Sequence, residues 1–257
     1  MQILLYDNTF EGLLTAIFEV YEYKLKDVRI ISKHNYQPDI LAQTKEIFTE
    51  ETKANRVWKG LQKKLSKEAM ENFYKCYLSE LPECEEIMLN FARRVFSTDE
   101  NIEQDFGNEA VLKVAQIGRK LFREKHRFEA FVRFQKTADG IFYASVEPDF
   151  NILPLIVPHF TRRYADQEWI IYDLKRKYGL WYNKQTVQQI EIDFSTQISD
   201  NKAVEMYDEK EELYQLLWKD YFKSTNIPSR KNMKLHLQHV PVRYWKYLTE
   251  KQPKTET

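Results

Sequence analysis

"FEAFVRFQKTADGIFYASVE", residues 128–147, is where the apolar spacing of the chain changes, and its reading decides the fold. Upstream, apolar residues recur every three or four positions, as on a helix; here they alternate, as on a strand. Phe128, Ala130, Val132 and Phe134 fall on one face, and Glu129, Phe131, Arg133 and Gln135 on the other. "ADG" supplies turn residues and "IFYASVE" returns, so the pattern predicts a β-hairpin.

Towards the N-terminus, "ILLYD" reads as a buried strand, "TFEGLLTAIFEVYEYKL" as an amphipathic helix and "VRIIS" as a second strand. Helices follow over 51–65, 67–79 and 83–96, the last with Pro82 at its entrance and Glu83, Glu85 and Glu86 in its first turn. A long helix begins after Asn108. Towards the C-terminus, "WIIYDLKR", "GLWYN" and "QQIEIDF" read as strands whose short connections make them antiparallel neighbours. Between hairpin and strands lies "EPDFNILPLIVPHFTRRYAD"; a proline is tolerated in a first helical turn but not in an interior, so the helix is expected to start at Pro158, with "NILPLIV" extended. His159, Arg162 and Arg163 then share one side of it. A helix over 204–224 and a short Pro-started helix in "PVRYWKYLTE", docking through Trp245 and Leu248, close the chain. The expected class is α+β: a mostly helical N-terminal half (1–125), then (126–257) an antiparallel sheet of about five strands with an inserted short helix and C-terminal helices, the two forming either separate lobes or one continuous domain.

Hydrophobic residues make up 43% of the 257 and aromatics 14%, a composition that folds. No run approaches the roughly 20 apolar residues of a membrane helix, and the start lacks a secretory pattern, so the expected compartment is the cytoplasm and no membrane partner is expected. Cys76 and Cys84 read as two buried thiols. Formal net charge is zero, but residues 119–185 hold 13 Lys/Arg against 8 Asp/Glu and residues 219–257 hold 9 against 3, while 80–118 and 186–218 are each at −6. The basic blocks are either solvated faces or parts of one basic surface.

Phosphate loops, a nucleophile elbow and cysteine clusters are missing. "HLQH" (His236, His239) lacks further ligands at a motif spacing, so no metal and no cofactor is expected. What remains is a concentration of guanidinium, imidazole and aromatic groups. Arg127, Arg133, His159, Arg162, Arg163 and Arg176 suit phosphate oxygens, with Phe131 and Trp169 as stacking surfaces. Glu124, Asp149 and Asp173 are candidate general bases, with His126 or His159 as acid. The bland account is helix-end capping and internal salt bridges to Asp149, Asp173 and Glu168. "RYWKYL" repeats the basic–aromatic mixture, leaving Arg243 and Lys246 free to bind.

"LLYDNTFEGLLTAIFEVY", "EKHRFEAFVRF", the 147–173 stretch and "LWKDYFKSTNIPSRKNMKLHLQHVPVRYWKYL" together resemble a bacterial family named for DNA metabolism, of unassigned biochemical function. The resemblance spans nearly the whole chain and includes no catalytic signature. It implies a setting: such proteins are encoded beside a radical SAM protein assigned to DNA repair, and related domains are fused to a uracil-DNA-glycosylase-like domain. Where the family has glycine after the aspartate, this chain has Asn8, which tolerates the same left-handed turn.

The leading expectation is an accessory protein of DNA metabolism that binds DNA or nucleotide phosphate and acts with a radical SAM partner. The alternatives are an enzyme acting on a nucleic-acid base through a carboxylate/His pair, and a protein-interaction adaptor.

Overall fold

The computed structural model describes residues 1–38, 43–191 and 240–251. The chain divides into two compact units, Met1–Phe122 and Arg123–Thr257. The first is built on β1 (Gln2–Tyr6), the central strand of a parallel sheet in the order β2-β1-β3, with β2 at Val28–Ser32 and β3 at Gln43–Glu46. Ile3, Leu4 and Tyr6 of β1 are buried, as a central parallel strand requires. β3 carries no strand signal in the sequence, because "QTKE" is an edge strand with no apolar residue to mark it.

Helix α1 (Phe10–Glu22) follows β1 through a tight corner. Asn8 sits at φ 65°, as its left-handed tolerance allows, and the Thr9 hydroxyl caps the helix by accepting from the Gly12 amide at 2.9 Å. A Cβ on Gly12 would lie 2.2 Å from an Asp7 carboxylate oxygen, so the corner needs a bare backbone there. Helices α2 (Glu51–Gln62), α3 (Lys67–Leu78) and α4 (Cys84–Phe96) match the expected spans to within three residues. Both thiols are buried and free; burial pushes Cys76 up to about 12 and raises Cys84 as well.

Helix α5 (Glu109–Phe131) overturns the strand expected over 128–134. Val114, Ile117, Leu121 and Phe128 are buried at helical spacing, and the gap between the last two is filled by buried Glu124. A charged residue inside the apolar stripe breaks the helical pattern and leaves alternation as the stronger signal. The hairpin survives in shortened form: β4 (Gln135–Lys136) pairs antiparallel with β5 (Phe142–Val146) around Gly140 at φ 89°.

The second unit carries a five-stranded sheet in the order β4-β5-β6-β7-β8, with β6 at Trp169–Asp173, β7 at Tyr178–Tyr182 and β8 at Val187–Ile190. The sheet is mixed, not antiparallel throughout: β5 and β6 run parallel, joined through α6 (Leu153–Arg163). A connection long enough to hold a helix returns the chain in the same direction, which a short turn cannot do. The fold class is α+β as expected, with helices in both halves.

α6 also starts five residues earlier than expected. Pro154 occupies its first turn and Pro158 its interior. An interior proline costs about 3 kcal/mol. Leu153, Ile156 and Phe160, nearly fully buried on one face, each contribute roughly 1.5–3 kcal/mol by burial, so the apolar stripe wins. They pack with Phe128, Val146, Trp169 and Ile171 in the core of this unit. The helix expected at 204–224 and the "HLQH" pair lie outside the described residues.

Residues 242–247 form a 3-10 helix after Pro241, followed by a second over 249–251. Leu248 is buried, as expected; the other anchor is Tyr244, not Trp245, which is half-buried. No helix of the described residues is long and apolar enough to cross a membrane.

Candidate functional site

Because α5 continues through Phe131, residues 124–129 lie on one helix and not across a strand boundary. Their side chains fall into two groups, one around Glu124 and one around Glu129.

The first group centres on Glu124, only 3% exposed. Its carboxylate accepts the amide N–H groups of Asp149 (2.9 Å) and Phe150 (3.1 Å), and the Tyr244 hydroxyl donates to it at 3.5 Å. Arg243 approaches the same carboxylate at 3.7 Å and pairs with Asp149 through its other terminal nitrogen. Burial pushes the Glu124 carboxyl above its ordinary range; the two amides pull it partly back, the Asp149 charge adds to the rise and Arg243 opposes it. Arg127 adds a hydrogen bond to Tyr244. Glu124 and Asp149 are thus committed to holding the 148–150 loop and the C-terminal segment.

The second group centres on Glu129, 15% exposed, which a strand reading puts on the face opposite Phe128. Its carboxylate receives Lys125 Nζ at 2.6 Å and stands 3.8 Å from His126 Nδ1 and 3.9 Å from His159 Nδ1. Lys125 and His126 come from the preceding turn of α5, and His159 from α6, so this carboxylate marks where the two helices bring their basic residues together. The sequence does hold a signal for it: 125/129 and 126/129 are i,i+4 and i,i+3 pairs once the stretch is read as helix. His126 is 78% exposed.

Arg162 and Arg163, in the last turn of α6, are exposed. Arg163 lies over the Tyr164 ring at 5.7 Å. Among the described residues neither meets a carboxylate. Cations at a helix C-terminus complement its dipole, which accounts for their position without consuming their charge.

The remaining expected residues are engaged elsewhere. Arg176 pairs with Asp173 at 2.9 Å and donates to the Pro148 and Asp149 carbonyls; the Asp173 side chain has no exposed surface and also accepts the Lys175 and Arg176 amides. Neither is placed to act on a ligand. Trp169, expected as a stacking surface, is fully buried among Phe134, Phe160 and Tyr182. Phe131 is half-buried against Tyr244. Arg133 donates to the Ala130 and Val132 carbonyls at the end of α5 and pairs with Glu250 at 3.0 Å. Arg243 and Lys246, expected to be free, pair with Asp149 and Glu147. Glu147 and Glu250 carry no local signal of these roles, because their partners lie about a hundred residues away.

Among the described residues no group of three or more His, Cys, Asp or Glu could hold a metal ion. A cleft of about 620 Å³ runs along α4 in the first unit, lined among others by Glu83, Glu86, Arg93 and Lys113; it includes none of the residues above.

A domain family of unknown function, DUF4130, matches residues 82–250. No curated protein matches the chain.

Proposed function

The chain belongs to the DUF4130 family of domains of unknown function, and we propose that it is an accessory protein of bacterial DNA metabolism that engages nucleic-acid or nucleotide phosphate and acts beside a radical SAM partner. The setting and the partner rest on the sequence resemblance alone. The phosphate reading rests on one structural observation. Glu129 gathers Lys125, His126 and His159 from two helices within 4 Å, while Arg162 and Arg163 on the same α6 meet no carboxylate among the described residues. Lys125, Arg162 and Arg163 bring more positive charge to these two helices than Glu129 offsets. Planar guanidinium forks suit phosphate oxygens.

The test is a salt titration of binding to a labelled single-stranded oligonucleotide, comparing the native chain with Arg162→Ala/Arg163→Ala. Each guanidinium withdrawn from a phosphate should reduce the slope of log K against log salt by about 0.7 for single strands, so the double variant should be shallower by about 1.4. Equal slopes and affinities would remove the reading.

A second reading, proton-transfer catalysis on a base, is favoured by the approach of two imidazoles to one carboxylate, since these groups serve as acid and base near neutral pH. It requires turnover that disappears in His159→Gln and Glu129→Gln alike. Glu124 is not the base in this reading, because its lone pairs already serve two amides.

A further inference from the structure

Arg162 and Arg163 are neighbours in the last turn of α6 and carry the same charge, yet their surroundings differ. Arg162 is exposed, and its guanidinium has no hydrogen-bond or ionic partner among the described residues. Arg163 is exposed too, but its guanidinium lies over the Tyr164 ring at 5.7 Å, and its Nε donates to the Tyr164 hydroxyl at 3.4 Å. One tyrosine thus meets the guanidinium with both its ring and its hydroxyl. Successive side chains on a helix do not face each other. Here they can, because α6 ends: Tyr164 is its C-cap, at φ −125° and ψ 49°, outside the helical region.

The Tyr164 ring is itself held. It stands nearly parallel to the Phe160 ring, with 8° between the planes and 6.1 Å between the centroids, and edge-on to Phe134 at 5.4 Å. Phe160 is buried and belongs to the core of the second unit, and Phe134 and Tyr164 pack against that core. The surface on which Arg163 rests is therefore anchored in the interior, and Arg162 has nothing comparable.

A guanidinium carries its N–H groups in a planar fork. Tyrosine takes the one on Nε; those on Nη1 and Nη2 have no partner among the described residues. These two nitrogens stand side by side at the outer end of the fork, the arrangement that meets two oxygens of one phosphate. A loose arginine gives up rotamer freedom to make that contact, and one already held gives up less. We propose that Tyr164 is a positioning residue that presets the Arg163 fork, making Arg163 the principal phosphate contact of this face and Arg162 a secondary one. The inference rests on the phosphate reading above and names the side chain that grips. A lysine at 163 keeps the charge but has no fork for the tyrosine to preset.

The experiment uses the full chain and a fluorescein-labelled single-stranded oligonucleotide, read by anisotropy across a salt series. Arg162→Ala and Arg163→Ala each withdraw one cation and should flatten the slope of log K against log salt alike, by about 0.7. At a fixed salt concentration, Arg163→Ala should weaken binding about threefold to tenfold more than Arg162→Ala does. Tyr164→Phe keeps the ring and every charge; it should weaken binding about threefold and leave the slope unchanged. That loss should persist in an Arg162→Ala background and vanish in Arg163→Ala and Arg163→Lys backgrounds, a dependence that a general loosening of the fold does not produce. Without nucleic acid, the Arg163 Nε–H followed by NMR relaxation should be more ordered in the native chain than in Tyr164→Phe. Binding by Tyr164→Phe equal to native, or an equal loss with and without Arg163, overturns the positioning role. If the Arg162→Ala and Arg163→Ala slopes flatten in that case, the phosphate reading stands without it. If neither slope changes, both fall.

Discussion

Arg176 closes on Asp173 at 2.9 Å at the end of β6, and the aspartate side chain it meets has no exposed surface. Such a pair is asymmetric. Removing the cation leaves a buried, uncompensated carboxylate, whereas removing the negative charge leaves Arg176 with the carbonyls of Pro148 and Asp149. Arg176→Met should cost about 3–5 kcal/mol of unfolding free energy, and Asp173→Asn clearly less. Urea denaturation of both variants checks the order.

Two glycines in the first unit carry a different kind of strain test. A Cβ at Gly118 of α5 would come within 2.2 Å of the Asn72 side chain of α3, and one at Gly12 within 2.2 Å of Asp7. Alanine favours a helix interior over glycine by about 1 kcal/mol, so a purely local view predicts that Gly118→Ala stabilises. Overpacking costs typically about 1–3 kcal/mol, and the clash should win. Gly118→Ala is expected to lower the melting temperature; adding Asn72→Ala, which removes the obstructing amide, should restore it.

Glu124 gives a pH signature of definite sign. Its carboxyl is raised above the unfolded value, so the folded state holds the proton more tightly, and its contribution to stability is full at low pH and is lost as pH rises through the folded value. Glu124→Gln does not titrate. Native stability measured relative to this variant should therefore increase as pH falls from about 7 towards about 4. Glu147 works in the opposite sense: the hydrogen bond from Lys246, followed by that from Tyr247, holds its carboxyl low, and its stabilisation is present above the unfolded value and lost on acidification through the lower folded one. Chemical denaturation of native, Glu124→Gln and Glu147→Gln chains across this range separates the two trends.

Glu129 is the acidic centre of an otherwise basic cluster. Glu129→Gln removes the carboxylate that faces Lys125, His126 and His159, and should raise oligonucleotide affinity about threefold to tenfold at low salt, a gain that shrinks as salt rises. Binding isotherms at two ionic strengths decide it.

What the sequence discloses and what it hides follow from range. β1, α1, β2 and α2 to α4 are written in local spacing and caps, and reading them needs nothing beyond a dozen residues. The α5 extension is hidden by Glu124, whose partners are loop amides 25 and 26 residues away and Tyr244 and Arg243 about 120 away; those contacts make a buried carboxylate tolerable. α6 is hidden by a rule that is sound for an isolated helix and is overridden by three buried side chains. Arg162, Arg163 and His159 can be picked out by type and spacing. The approach of His159 to Glu129 cannot, because it depends on the packing of two helices whose facing residues are 30 positions apart. Arg133, Arg176 and Arg243 read as binding groups because unpaired arginines near aromatics invite anions; the anions they find belong to this chain.

The mixed sheet has a consequence for the order in which the second unit assembles. β6, β7 and β8 are consecutive hairpins and can zip together through short loops soon after synthesis. β5 joins only after the chain has doubled back over 27 residues from Phe142 to Trp169, and the pairing of Arg133 with Glu250 closes a loop of 117 residues. Closure entropy rises with loop length, so the C-terminal segment should be the last element to settle during refolding and the first to leave during unfolding.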